Sequence, residues 1–308
     1  MSFEALEAWS VAFADAVWGL PMVALLLGGG AFFLVISRAL PYRHLGHGFA
    51  VMSGRYDTPD EQGELSHFQA LAAALSNTMG LGNIGGVALA IVAGGPGAVF
   101  WMWMSAVVGI ATKFFTCSLG VMYRGLDSEG NLQGGPMYVI REALPKSFYP
   151  LAVLFSAAGM IGTLPMFQAN QLTALIGQTV FDGAPPAWSG FVTGLILAVL
   201  VGIVIFGGLP RIAKVAVRSL PAMVVVYVTM TLYVVLTHIT EVPALLWLIV
   251  SEAFNPTAVG GGFIGIMLIG VSRGVFSNEA GVGTEVMAHG AARTNEPVSY
   301  THLTLPTT

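Results

Sequence analysis

Long apolar segments separated by short polar connections dominate the chain, and their lengths predict helices that cross a lipid bilayer. About 20 residues of α-helix span the hydrocarbon core of a membrane. The pattern predicts seven such spans, at residues 15–37, 67–92, 98–123, 150–177, 187–206, 220–237 and 262–291. This arrangement is typical of an all-α polytopic membrane protein.

The second span differs from an ordinary membrane helix because glycine and polar residues fill its middle. Residues 76–86 read SNTMGLGNIGG. Each interior glycine costs a helix roughly 1 kcal/mol relative to alanine, so the segment predicts an interrupted helix. Interrupted backbone at membrane depth is tolerated only where it is buried in protein or lines a cavity. Its free carbonyls can bind a cation and its free N–H groups a carboxylate, which indicates the site of a solute transporter.

The seventh span repeats this feature, since residues 273–283 read RGVFSNEAGVG. Two interrupted helices five positions apart predict an inverted-repeat transporter of five helices plus five. Residues 67–237 would form the first repeat, with the broken helix at 67–92. Residues 262–291 would open the second, and residues 15–37 would be an extra helix in front. We also expect Arg273 and Glu279 to pair and lock the second interruption, in preference to contacting the substrate.

The fourth span contains a proline and three amides. Pro165 predicts a kink. Gln168, Asn170 and Gln171 are costly in hydrocarbon unless they face other helices. Gln168 and Gln171 are three apart and can share a face, either for a hydrogen bond between helices or for a substrate contact.

The composition agrees with a membrane protein, since 55% of the residues are hydrophobic and 9% are charged. Soluble domains carry about 25% charged residues. The net charge of −4 suggests no nucleic-acid role, and the single cysteine excludes an intrachain disulfide.

The basic residues predict the topology. Outside the spans, Lys and Arg occur only in every second connection between them. These residues are Arg38, Arg43, Arg55, Arg124, Arg141, Lys146, Arg211, Lys214, Arg218 and Arg293. The positive-inside rule then places residues 1–14 outside. Lys113 lies within the third span, where its ammonium can snorkel to the inner surface or take a buried structural role.

The end of the chain departs from this pattern. A five-plus-five repeat requires four more spans, whereas residues 299–308 are polar and threonine-rich. We expect this tail to be foreign to the protein and the remaining spans to be missing. We also expect residues 1–308 alone not to transport.

Six motifs give the chain a specific resemblance. They are GLGNIGGVA at 80–88, GGPGAVFWMW at 94–103, ATKF at 111–114, GGPMY at 134–138, QAN at 168–170 and FSNEAGVGTEVMAHGAARTNEPV at 276–298. On these residues the chain resembles the alanine or glycine:cation symporter family, which includes the sodium:alanine symporters. The family is similar in fold to the bacterial leucine transporter, with one extra helix in front. The resemblance implies sodium-coupled transport of small neutral amino acids across the bacterial cytoplasmic membrane, with sodium as coupling ion and no cofactor.

The resemblance also implies site residues. The second span looks like the Asn-x-x-Gly-Leu-Gly-Asn helix of neurotransmitter:sodium symporters. By that likeness the substrate site would comprise Thr78, Gly80, Leu81, Gly82, Gln168, Ser277 and Asn278. The backbone N–H groups of Leu81 and Gly82 would bind the carboxylate. Sodium ligands would be the Asn83 side chain with the Thr78 carbonyl at one site, and the Ser76 and Met79 carbonyls at a second.

Three positions depart from the family pattern. Leu81 replaces a threonine and Gly85 an alanine, which leaves the substrate preference open. The family usually has a glutamate where this chain has Thr116. Its loss removes a buried negative charge and leaves Lys113 without an obvious partner.

Other function classes have weaker support. A proton-coupled carrier or a carrier of another solute remains open. A channel would require pore-lining rings, which the sequence does not show. A membrane enzyme would rest on Glu285 and His289 alone, at helical spacing.

Overall fold

The computed structural model describes residues 3–56, 61–255, 262–297 and Tyr300, and helices dominate the described part. The helices are α1 (Phe3–Val17), α2 (Leu20–Ile36), α3 (Leu40–Arg43), α4 (Leu45–Met52), α5 (His67–Thr78), α6 (Leu81–Gly94), α7 (Gly97–Met122), α8 (Pro136–Ala143), α9 (Tyr149–Gly162), α10 (Met166–Val180), α11 (Ser189–Ile205), α12 (Gly208–Thr237), α13 (Val242–Glu252), α14 (Gly262–Asn278) and α15 (Thr284–Gly290). A 3₁₀ turn covers Lys146–Phe148. Strands β1 (Gly125–Leu126) and β2 (Leu132–Gln133) form an antiparallel hairpin.

The helices have the lengths and surfaces of a multi-pass membrane protein. In the described part, three helical stretches are long and apolar enough to span a bilayer: Glu4–Ile36, Gly97–Met122 and Gly208–Thr237. Shorter apolar helices accompany them, and large apolar side chains face outward. Phe206, for example, is 94% exposed. Such a surface is stable in lipid and not in water. The predicted class of an all-α polytopic membrane protein is therefore confirmed, whereas the five-plus-five repeat stays a prediction.

Both predicted interruptions are present. Helix α5 ends at Thr78 and α6 begins at Leu81, so Met79 and Gly80 separate the two halves of the second span. Helix α14 ends at Asn278, and α15 begins at Thr284.

The fourth span is also interrupted. Pro165 predicted only a kink in a continuous helix. Residues 163–165 separate α9 from α10. Proline has no N–H and disfavours helical backbone at the preceding residue, so the helix ends before Leu164. It begins again at Met166 with Pro165 as its N-cap.

Local sequence explains where α5 begins. The Gln69 N–H donates to Ser66 Oγ at 3.3 Å, and the Ser66 N–H donates to Gln69 Oε1 at 3.0 Å. This reciprocal capping box satisfies N–H groups that a helix start leaves free. The polar connection before α5 contains α3 and α4, so part of residues 38–66 is helical.

Helix α7 lies at the centre of the described structure and packs against α2, α6, α13, α14 and α15. Its contact with α14 depends on glycine. A Cβ atom on Gly270 would lie 2.4 Å from the carbonyl oxygen of Ala98, and one on Gly274 would lie 2.1 Å from Ser105 Oγ. The backbones of the two helices therefore touch, as small residues permit in membrane proteins.

We expect Gly270→Ala to destabilise the protein, because its methyl group would overlap a backbone carbonyl. Forcing extra atoms into a packed contact costs about 1–3 kcal/mol. Gly194→Ala is the matched control, since nothing lies within 4 Å of a Cβ at that position of α11. Thermal unfolding in detergent should show a lower midpoint for the first variant only. Equal midpoints would contradict the close packing of α7 and α14.

Two segments join the start of α5 to the end of α15. Leu65 and Ala292 form a parallel bridge, and the Arg293 N–H donates to the Leu65 carbonyl at 2.7 Å. Arg124 donates to the carbonyl of Ala292 at 2.7 Å. The second and seventh spans are thus hydrogen-bonded to each other at the end of α5 that is farther from α6.

The predicted boundaries of the terminal segments remain predictions. Residues 1–14, expected outside, lie largely within α1. Within the predicted tail at 299–308 only Tyr300 is described. It is buried, and its hydroxyl lies 2.8 Å from His289 Nδ1.

Candidate functional site

A cavity of about 500 Å³ lies where the three interrupted helices meet. Each interruption contributes residues to its wall, and the end of α1 adds Trp18. The lining residues are Trp18, Ser76, Thr78, Met79, Gly80, Asn83, Gly162, Thr163, Leu164, Pro165, Gln168, Phe276, Glu279, Val282 and Thr284. This volume is within the range of small-molecule sites.

Asn83 connects the interruptions of the second and seventh spans. Its Nδ2 atom donates to the Thr78 carbonyl at 2.5 Å and to the Ser277 carbonyl at 3.2 Å. Thr78 and Ser277 lie in the last turns of α5 and α14, where carbonyl groups have no intrahelical partner. One amide therefore bridges two helix ends, and it lies 194 residues from Ser277 in sequence.

This arrangement fits a sodium ion. The carboxyl ends of helices carry partial negative charge, so two of them close together attract a cation. A half-turn of the Asn83 amide exchanges its nitrogen and oxygen, which would present Oδ1 beside the two carbonyl oxygens. Hard cations take carboxylate, amide and carbonyl oxygens as ligands.

The other residues expected from the second span have different environments. Ser76, Met79 and Gly80 line the cavity. The Thr78 hydroxyl donates to the Leu75 carbonyl at 3.2 Å, so only its backbone carbonyl meets Asn83. Such a back-bond to the preceding turn is common for threonine in helices.

The amino end of α6 suits an anion. Leu81 and Gly82 are its first two residues, and the first N–H groups of a helix have no intrahelical partner. Gly80 precedes them with φ −159° and ψ −173°, an extended backbone that any residue can adopt. Glycine at position 80 is therefore not required by the backbone, but it leaves space in the cavity, since nothing lies within 4 Å of a Cβ there.

Three residues were expected from other spans. Gln168 lines the cavity from the first turn of α10. Ser277 reaches Asn83 through its backbone carbonyl. Asn278 is only 2% exposed and does not line the cavity. Its Oδ1 atom accepts a hydrogen bond from the Ala280 N–H at 2.8 Å, and its side chain lies beside Gly109 of α7.

Sequence reasoning did not predict that Glu279 and Trp18 line the cavity. Glu279 faces the cavity and accepts a hydrogen bond from the Thr284 hydroxyl at 2.5 Å. Arg273 lines a separate groove with Asp15, and the expected pairing of Arg273 with Glu279 stays a prediction. The left-handed backbone of Glu279 (φ 54°) directs its side chain and could not be foreseen from residue type. Trp18 gave no signal in the sequence either.

The apolar helices around this cavity define a multi-pass membrane protein, and comparisons with known proteins identify its family. The model of the sodium:alanine symporter family matches residues 3–305. The chain belongs to this family, which is a family of transporters and not of enzymes.

Relatives that are named as symporters, carriers or transporters agree with this assignment. The sodium/alanine symporter AgcS of Methanococcus maripaludis is 37% identical over 91% of this chain and 62% of its own length. The putative sodium/proton-dependent alanine carrier protein YrbD of Bacillus subtilis is 40% identical over 94% of this chain and 58% of its own length. An uncharacterized transporter of Haemophilus influenzae is 41% identical over 92% of this chain and 62% of its own length. The chain thus spans about three-fifths of the relatives that it matches.

Proposed function

We propose that this protein carries out sodium-coupled symport of small neutral amino acids, alanine and glycine, by alternating access. The observation that carries the proposal is the Asn83 amide, which bridges the carbonyls of Thr78 and Ser277 at the edge of the cavity. Family membership supports cation-coupled amino-acid transport in general. The proposal adds the location of the sodium site and the identity of the substrate.

The cavity offers groups for the carboxylate of an amino acid and for the sodium ions that would accompany it. The first N–H groups of α6, at Leu81 and Gly82, would bind the carboxylate. Asn83 and the Thr78 and Ser277 carbonyls would bind one sodium ion close to that carboxylate. The Ser76 and Met79 carbonyls would contribute to a second sodium site, and Gln168 would contact the substrate from α10. Asn278 would act indirectly, by shaping the interruption after α14.

The cost of lost hydration explains why sodium and substrate would move together. A zwitterion loses the hydration of two charges when it enters the membrane, at a cost of several kcal/mol or more. Helix-end dipoles, amide groups and sodium would replace that hydration. The membrane potential contributes about 2.3 kcal/mol per charge per 100 mV, which would drive uptake.

The proposed setting is the bacterial cytoplasmic membrane, with the amino terminus outside and lipid around the apolar helices. The alternating basic connections support this orientation. Proton coupling is a second candidate, because the Bacillus subtilis relative YrbD is named a putative sodium/proton-dependent alanine carrier.

Uptake of labelled alanine by cells that express a full-length clone of the gene tests the function. We expect saturable uptake in sodium buffer and little uptake when choline replaces sodium. Uptake that is indifferent to sodium but abolished by a protonophore would favour proton coupling. Saturable uptake that neither treatment affects would contradict both candidates.

Substitution of Gly80 tests the size of the substrate site. Since a Cβ at position 80 meets open space in the cavity, we expect Gly80→Val to fold but to fill room needed by the substrate. One buried methyl or methylene group changes affinity by about 1–3 kcal/mol. KM for alanine should rise more than KM for glycine, as measured by competition uptake. An equal rise of KM for alanine and glycine would show that the methyl group of bound alanine does not lie beside position 80.

A further inference from the structure

A buried carboxylate lies outside the cavity and has no role in the proposed transport site. Glu285, the second residue of α15, is only 1% exposed. Its Oε1 atom accepts a hydrogen bond from the Thr116 hydroxyl of α7 at 3.4 Å. Its Oε2 atom is buried and has no hydrogen-bond partner in the described structure. A carboxylate in this setting needs a compensating positive charge.

Lys113 supplies that charge. It lies one turn before Thr116 on α7, so both side chains project from the same face of the helix. Lys113 is 8% exposed, so it is buried and does not snorkel to the surface. Because Thr116 on this face reaches Glu285, Lys113 lies on the side of α7 that faces the carboxylate.

We propose that Glu285 is the counter-charge of Lys113 and positions α15 against α7. The hydrogen bond from Thr116 to Glu285 shows that this face of α7 and the start of α15 are neighbours. The negative charge that faces Lys113 is therefore provided by α15.

Other charged and titratable groups nearby do not replace this pairing. The charge of Glu279 acts on Glu285 with the same sign and cannot neutralise it. His289 lies one turn further along α15, and its Nδ1 atom is engaged with the Tyr300 hydroxyl at 2.8 Å. Lys113 and Glu285 thus form the opposite-charge pair of the cluster.

The pairing affects the cavity because α15 begins beside it. Thr284 directly precedes Glu285, lines the cavity and binds the carboxylate of Glu279. The contact between α15 and α7 is tight, since a Cβ on Gly120 would lie 2.1 Å from Val286 Cγ1. Loss of the counter-charge would therefore displace a wall of the cavity. In this respect the inference rests on the proposed function.

Relocating the carboxylate tests the inference. Glu285→Ala removes it, and Thr116→Glu in the same chain places a carboxylate on α7 in the space that the shortened side chain vacates. We expect Glu285→Ala to lower sodium-dependent alanine uptake at least about tenfold, because removal of one partner leaves a buried charge uncompensated. The double variant should recover most of the uptake and the normal sodium concentration for half-maximal rate. Glu129→Gln, in an exposed loop, is the control and should match the wild type.

A second measurement keeps the test independent of transport. Thermal unfolding in detergent and the amount of protein in the membrane should fall for Glu285→Ala and recover in the double variant. Wild-type stability and uptake for Glu285→Ala would overturn the inference. So would a double variant as impaired as the single one in both measurements. If the wild type shows no uptake of alanine, the proposed function fails, whereas recovery of stability still supports the charge pair.

Discussion

Replacement of Asn83 by alanine is expected to reduce sodium-dependent alanine uptake by one to two orders of magnitude. The variant loses the amide that joins the Thr78 and Ser277 carbonyls and, on our proposal, a sodium ligand. Hydrogen bonds and ligands to charged groups contribute about 1.5–3 kcal/mol each, which corresponds to about 10- to 100-fold. Uptake rates across a sodium titration measure this loss.

Asn83→Asp distinguishes two roles of this residue, that of a sodium ligand and that of an amide that only bridges two helices. A carboxylate cannot donate to the two carbonyls and is repelled by them unless a cation lies between them. If Asn83 binds sodium, the aspartate variant should retain clearly more uptake than the alanine variant and should depend on sodium. If Asn83 only bridges the helices, the aspartate variant should be as impaired as alanine or more so.

Gln178→Ala is the amide control for both variants, since it lies near the end of α10 and away from the cavity lining. It should leave uptake and its sodium dependence unchanged. Full activity of Asn83→Ala would contradict the proposed site altogether.

Gly283→Ala should have the second large effect, because this glycine forms the interruption before α15. Its φ of 91° lies in a region that L-residues rarely adopt, and a Cβ there would lie 2.7 Å from Pro136 Cγ. Left-handed backbone alone costs a non-glycine residue about 1–2 kcal/mol. The overlap with Pro136 adds to this, so we expect both a lower unfolding midpoint and loss of uptake.

Gly28→Ala is the matched glycine control. It lies within α2, where nothing lies within 4 Å of a Cβ. Alanine favours helix over glycine by about 1 kcal/mol, so this variant should be as stable as the wild type or slightly more stable. A Gly283→Ala protein with normal stability and uptake would show that the interruption does not need its left-handed residue.

The sequence predicted the two interrupted helices because glycine and asparagine weaken a helix, and both segments are rich in them. The position of the break was less predictable, since Gly82, Gly85 and Gly86 continue the helix in α6 and only Met79 and Gly80 leave it. Asn83 could be singled out on the same grounds, and the structure does bring it to the carbonyl of Ser277. The membrane class also followed from segment length and low charge.

The remaining features depend on packing between distant segments. Asn278 follows Ser277 directly, yet the end of α14 turns its side chain toward α7 and away from the cavity. Pro165 predicted a kink, whereas α9 ends and α10 begins there. Trp18 reaches the cavity only because α1 ends beside α14. Residue type does not encode such juxtapositions.

Chemical modification of a single cysteine tests most directly whether substrate and sodium bind where the interrupted helices meet. The chain has one native cysteine, Cys117, which is fully buried. Thr163→Cys would place a reactive thiol on the exposed wall of the cavity, at a residue without a proposed binding role. We predict that alanine slows the reaction of this thiol with a methanethiosulfonate reagent in sodium buffer, but not in choline buffer. An unchanged rate in sodium, in a variant that still takes up alanine, would contradict the account.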